Sequence, residues 1–345
     1  VTGLPPAGGG GEMPRCANLA VRFVRHQRLR PTPMTSASPI KALPQGFKLD
    51  DCVVERQISR GGFSIVYLAR DPAGAPLAIK EYMPAGIAQR SGSSPVPVVP
   101  PELRGAFIAG MKAFFEEGRL LARINHPNVV HVQNFFRANE TAYMVMPYVK
   151  GKSLHEVIRA SIVSCEPLRE EFLREVFVRL LSGLREVHLQ KLLHLDIKPA
   201  NIFLRRDGSP LLLDFGATRL GLGDSPSSLA AVHTPDYGAP EQEGSGEPLG
   251  PWTDIYAIGA TLYSCLAGRP PPPAAQRMVK DEFESAQKTW FRQYSPQMLE
   301  LIDWCLKLEA GQRPQSVFAL QKVLNGDLLD LVDPTWFASP DAPKG

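Results

Sequence analysis

The hydrophobic period of this chain changes once, near residue 150, and that change restricts the fold more than any other feature. Between residues 47 and 149 the runs CVVERQIS, SIVYLAR, LAIKEYM and TAYMVMPYV are short and strand-like, and one helical stretch falls near 105–124. From 150 to about 330 helical patterns dominate. In LREEFLREVFVRLLSGLREVHLQ (168–190) apolar residues recur at steps of three and four, as one buried helix face requires. The pattern predicts an α+β fold of two lobes: a small β-rich lobe over 47–149 and a larger helical lobe over 150–330. They meet at a short connector near Tyr148. Residues 1–46, rich in Gly, Pro, Ser and Ala, read as a disordered N-terminal extension, and 331–345 as a tail.

Composition narrows the functional classes. The 345 residues are 44% hydrophobic and 21% charged, ordinary for a globular chain, and the net charge of +3 singles out no polyanion such as nucleic acid. Five arginines against one acid, Glu12, stand within residues 1–30. Arg22, Arg25 and Arg28 have helical spacing, so a membrane-surface helix stays open there beside a disordered leader or translation from Met13 or Met34. Five scattered cysteines without a CxxC pair predict reduced thiols in a cytoplasmic protein rather than zinc or disulfides. No run approaches the ~20 apolar residues of a membrane span, and ATLYSCLAG (260–268) reads as part of a buried helix.

Several short motifs carry candidate chemistry. ISRGGFSIVY (58–67) places a glycine turn between two strand patterns. Such a turn either lets backbone amides approach a phosphate or simply closes a hairpin. Lys80 ends the strand LAIK, where it would grip phosphates or snorkel to solvent. Glu117, on the helical stretch, would pair with Lys80 or lie on a solvated face. HLDIKPAN (194–201), LLLDFG (211–216), APE (239–241), WTDIYAIG (252–259) and Arg313 of GQRP follow in order.

Taken together, this ordered set resembles the eukaryotic-type protein kinase family across roughly residues 48–325. GFSIVYLARD, IKEYMP, GPWTDIY and RPQS resemble its bacterial Ser/Thr branch. The resemblance implies a Mg-ATP-dependent enzyme, with Mn²⁺ as an alternative metal, acting on Ser or Thr hydroxyls of protein substrates. It also implies a cognate metal-dependent phosphatase as a partner. Ser59, Gly61, Gly62, Phe63 and Ser64 would form the phosphate loop. Lys80 would hold the α- and β-phosphates, with Glu117 holding Lys80. Asp196 would orient the substrate hydroxyl, Lys198 would reach the γ-phosphate, and Asp214 and Asn201 would ligate metal. Adenine would lie against Met146, Pro147 and Val149, between Val66 and Ala78 above and Phe203 below. Pro147 lacks an N–H but keeps the carbonyl asked of that position. Glu241 with Arg313 would form a buried structural ion pair, and Asp254 would anchor the catalytic loop.

Three departures from the family pattern stand out. Ser59 and Ser64 replace the outer glycines of the phosphate loop, which predicts altered nucleotide affinity if φ > 0 is required there. Leu195 stands where the family usually has an arginine that receives an activation-segment phosphate. That predicts a segment ordered without phosphorylation, although it holds Thr218, Ser225, Ser227, Ser228 and Thr234, with Arg219 a substitute acceptor. Lys80 and Glu117 are also far apart, and the Pro- and Ser-rich SGSSPVPVVPPELRG between them reads as an exposed insertion. Two other readings remain open: a nucleotide-binding pseudokinase and a small-molecule phosphotransferase.

Overall fold

Six antiparallel strands form the first lobe in the computed structural model, which describes residues 41–90, 94–215, 219–220, 234–244 and 247–326. The expectations for 1–40, 327–345, Gly216, Thr218, Ser225, Ser227 and Ser228 lie outside the described residues. The strands are β1 (Lys48–Leu49), β2 (Cys52–Arg60), β3 (Ser64–Arg70), β4 (Pro76–Tyr82), β5 (Asn134–Ala138) and β6 (Thr141–Pro147), in sheet order β1-β2-β3-β4-β6-β5. Pairing of Val66 with Lys80, and of Lys80 with Met144, puts these three on one face together with Ala78 and Met146. Ile65, Tyr67, Ile79, Glu81, Tyr143 and Val145 share the other face, and all are buried.

Helix α1 (Arg104–Leu121) covers the Lys80 face. Its buried stripe runs Phe107, Met111, Phe114, Gly118, Leu121, the alternation of four- and three-residue steps that one helical face demands. Gly118 passes close to the Met144 side chain, and Tyr82 packs between Phe107 and Phe114 at ring distances of 5.2 and 5.7 Å. The opposite face is covered from within the lobe. Leu43 is buried there and its N–H donates to the Tyr67 hydroxyl at 3.1 Å, so ordered structure begins before residue 47. The Pro- and Ser-rich stretch after Lys80 is exposed or half-buried over its described residues except at Pro97, and just before it Ala88 and Arg90 are buried and Gln89 bridges Val98.

Past the connector, β7 (Gly151–Ser153) pairs with β9 (Ile202–Arg205), which pairs with β10 (Pro210–Leu212). Gly151 is required there, because a Cβ would overlap the Leu204 carbonyl oxygen. Helix α2 (Leu154–Ser164) starts with a capping box of Ser153 and Glu156. Helix α3 (Glu170–Leu189) buries the stripe foreseen from its period. β8 (Leu192–Leu193) pairs with β11 (Arg219–Leu220). Helix α4 (Pro251–Ala267) is buried on all sides from Thr253 to Leu266, which explains its apolar composition all round. α5 (Ala274–Val279), α6 (Ala286–Trp290), α7 (Pro296–Cys305) and α8 (Val317–Asn325) complete the lobe, with α7 against α4 and α8 against α3. Among the described residues no helix is long and apolar enough to cross a membrane.

Two buried carboxylates fix the loops that face the cleft. Asp254, near the start of α4, accepts from the amides of His194 and Leu195 at 2.9 and 2.8 Å and from His188 Nε2 at 2.8 Å. Burial alone would raise its pKa, but these donors outweigh it and hold the carboxyl below its usual range. His194 is itself fully buried. Its Nε2–H donates to the Leu213 carbonyl at 3.0 Å, its Nδ1 accepts from the Asp196 amide at 3.3 Å, and burial holds its pKa below the ordinary value. Glu241 pairs with Arg313, whose guanidinium also donates to the carbonyls of Trp252, Lys307 and Leu308.

Both arrangements give measurable expectations. Arg313→Met strands a buried carboxylate and lowers unfolding free energy by about 3–5 kcal/mol in urea titration. His194 binds a proton less readily folded than unfolded, so its share of stability is complete above the ordinary pKa of 6.5 and is lost as pH falls below it. Urea midpoints should therefore drop between pH 7.5 and 5.5, with His194→Phe removing a slope of up to about 1.4 kcal/mol per pH unit.

Candidate active site

Lys80 lies where the two lobes share charge. Its Nζ donates to Glu117 Oε1 on α1 at 3.1 Å and to Asp214 Oδ1, just beyond β10, at 2.7 Å. Burial alone would depress the ammonium pKa; the charges of Asp214 and Glu117 outweigh it and keep the group above its ordinary value. Lys80 in turn holds the Asp214 carboxyl below the usual range, while burial pushes Glu117 up. A positive point charge thus persists in the cleft, with the Asp214 carboxylate half-exposed beside it. Phe215, next in sequence, is buried with its ring 4.4 Å from that of His194.

The loop between β8 and β9 presents a second polar set. Asp196 Oδ2 accepts from Lys198 Nζ at 2.7 Å and from Asn201 Nδ2 at 3.1 Å. Thr234 Oγ1 donates to Asp196 Oδ1 at 2.8 Å and accepts from Lys198 Nζ at 2.6 Å. Thr234 was grouped by sequence with the hydroxyls open to phosphorylation; its hydroxyl is instead committed to Asp196 and Lys198. The available signal was its position seven residues before Glu241.

Leu195 is buried, with φ +64°, and Asp214 has φ +61°. Left-handed backbone at non-glycine residues is costly and is retained where surrounding bonds over-determine it. At Leu195 those bonds are the amide to Asp254 Oδ1 and the carbonyl, which accepts from Gln242 Nε2 at 2.9 Å. Gln242 Oε1 accepts in turn from the Ala239 amide at 3.0 Å, so a neutral side chain joins the 239–242 turn to the catalytic loop. Neither His194 nor Gln242 drew attention in the sequence.

The remaining predicted residues fall on the same lobe junction or on the loop above it. Val66 and Ala78 lie on the Lys80 face; Ala78 is opposite Met146 and Leu77 opposite Pro147. Val149 follows in the connector, and Phe203 sits half-buried on β9 opposite Ser153. The β2–β3 turn carries Ser59, Gly61, Gly62 and Phe63 exposed and Ser64 buried, closed by Gly61 N–H to the Ser64 carbonyl at 2.9 Å. No residue from 59 to 64 has positive φ, so the two serines carry no left-handed backbone strain in this conformation of the loop.

The oxygen donors fit a hard divalent cation. Asn201 uses its Nδ2 on the Asp196 carbonyl and carboxylate, which leaves Oδ1 without a donor among the described residues. Asp214 Oδ2 is likewise left over once Oδ1 takes Lys80. Mg²⁺ is commonly held by one or two side chains together with phosphates, which is what this pair of oxygens could provide.

The protein kinase domain family matches residues 52–325. Serine/threonine-protein kinase pkn2 of Myxococcus xanthus is 28% identical over 79% of this chain and 32% of its own length. Serine/threonine-protein kinase PkaA of Streptomyces coelicolor is 30% identical over 76% of this chain and 48% of its own. The chain thus spans between about a third and a half of these relatives. A solved structure, the PpkA-294 apo form, is 33% identical, covers 82% of this chain and 99% of its own, and superposes with a TM-score of 0.72. With the lobes, the cleft and the ordered motifs in place, the chain belongs to the protein kinase domain family.

Proposed function

We propose that the chain is a Ser/Thr protein kinase that transfers the γ-phosphoryl group of ATP to protein hydroxyls. The observation that carries this reading is Lys80 paired with Glu117 and lying beside Asp214, since phosphoryl transfer in this family needs that lysine–glutamate pair together with an aspartate placed to hold Mg²⁺. A nucleotide-binding scaffold would have no need for the second polar set around Asp196.

Phosphoryl transfer demands positioning and charge stabilisation more than covalent help. Lys80 supplies a fixed positive charge to the phosphates, held from behind by Glu117. Asn201 and Asp214 would hold Mg²⁺, which supplies neutralisation of phosphate charge when bound. An ionised carboxylate offers about four acceptor sites. At Asp196, Thr234, Lys198 and Asn201 occupy three, which leaves one on Oδ1 for the incoming hydroxyl. Asp196 would orient that hydroxyl and take its proton as the bond to phosphorus forms. Lys198, already on Asp196, would neutralise charge on the transferred group. Thr234 brings the start of the 234–244 stretch against the base, where a peptide acceptor would approach.

The test is transfer of γ-labelled phosphate from ATP with Mg²⁺ or Mn²⁺, to the chain itself and to a generic basic protein. Label is expected on Ser or Thr, and Asp196→Asn should lower the rate roughly 10²- to 10⁴-fold, the usual contribution of a positioned base. Asp214→Asn should abolish transfer. Binding of ATP without any label would instead support the pseudokinase reading. Because Leu195 is held by Asp254 and Gln242 rather than by a phosphate, phosphatase treatment of purified protein should leave the rate within about twofold, less than one hydrogen bond contributes; a larger fall would sink phosphorylation-independent ordering.

A further inference from the structure

The segment after Lys80 reaches back to the phosphate loop. Beyond Tyr82 the chain stays in register with the β2–β3 turn: Met83 N–H donates to the Phe63 carbonyl at 2.9 Å, and Ala85 N–H to the Gly62 carbonyl at 2.7 Å. The loop is thereby tied by its backbone on the side away from the cleft. A turn follows, with Ile87 N–H to the Pro84 carbonyl at 3.3 Å and Gly86 at φ +79°, the pattern of a type II turn. Gln89 and Val98 then exchange backbone hydrogen bonds of 2.9 and 2.6 Å, which closes the segment on itself.

A buried ion pair holds this segment against the sheet. Arg90 donates Nη1 and Nη2 to Glu81, Nε to the Pro95 carbonyl at 3.0 Å and Nη1 to the Lys41 carbonyl at 3.0 Å. Glu81 is fully buried and adjacent to Lys80, but alternation along β4 puts it on the opposite face. The hydroxyls of Tyr67 and Tyr143 donate to it at 2.6 and 2.8 Å. The catalytic constellation uses none of these groups. A buried ion pair is a poor source of net stability compared with apolar packing of the same volume, whereas a guanidinium fork specifies geometry.

We propose that Arg90 is a positioning residue for the phosphate loop, acting through Glu81 and through the Met83 and Ala85 amides that hold the Phe63 and Gly62 carbonyls. The inference rests on the kinase reading. It gives the insertion a role in nucleotide binding. The loop is set at its height over the cleft before nucleotide arrives, so less ordering is left for binding to impose.

Two variants of the full chain test it. Ala85→Pro removes one amide from the loop, and proline suits the first central position of a type II turn. Glu81→Gln combined with Arg90→Met removes both charges together and avoids a stranded ion. Affinity for a fluorescent ATP analogue, KM for ATP, kcat and the thermal midpoint are read for each. The expected result in both is a rise of about three- to tenfold in Kd and KM, the fold-change of one hydrogen bond, with kcat within about twofold. Unchanged KM in the double variant overturns the role of Arg90, whatever Ala85→Pro does. A joint fall of kcat and thermal midpoint without a KM change shows a merely structural pair and also overturns it. If the wild-type chain binds no nucleotide analogue, the kinase reading fails and takes this inference with it.

Discussion

An ammonium buried between two carboxylates from different lobes is the interaction on which the site depends. Lys80 brings one strand of the sheet, Glu117 the helix that covers that sheet, and Asp214 the end of a strand in the helical lobe. No one of these charges is comfortable inside the protein alone, since burial disfavours each charged form. Together they hold sheet, helix and lower lobe in one arrangement. That leaves one fixed ammonium where a nucleotide's phosphates would lie, and leaves Asp214 an oxygen for a cation.

The lower lobe solves a related problem with carboxylates that meet backbone donors. Asp254 takes two amides of the catalytic loop, and Glu241 takes the guanidinium of Arg313, while Gln242 and Thr234 join the loops facing the cleft to each other. Leu195 belongs to that scheme. Its amide and carbonyl are both committed, to Asp254 and Gln242, and its side chain is buried.

Much of the catalytic set was legible because its spacing is local. Asp196, Lys198 and Asn201 lie within six positions, and a single loop is enough to bring them together. The helical stretch carrying Glu117 was likewise readable, and the apolar run over 260–268 marked part of a buried helix. The contacts of Thr234, Gln242 and His194 were not, because each depends on a partner fixed by the packing of another element. The buried pair of Arg90 with Glu81, just before the Pro- and Ser-rich stretch, was hidden for the same reason, since composition cannot report a pair that forms across a sheet face.

The sequence by itself determined the two-lobed α+β organisation, the order of the motifs and the identity of the groups able to handle phosphate. Those follow from hydrophobic period and side-chain chemistry, which are properties of short windows. Only the tertiary structure decided that Lys80 bonds Asp214 as well as Glu117, which hydroxyl sits on Asp196, and that the glycine turn is tied by the amides of residues 83 and 85. Such pairings join residues tens of positions apart, and they are settled by which sheet face and which helix stripe are buried against each other.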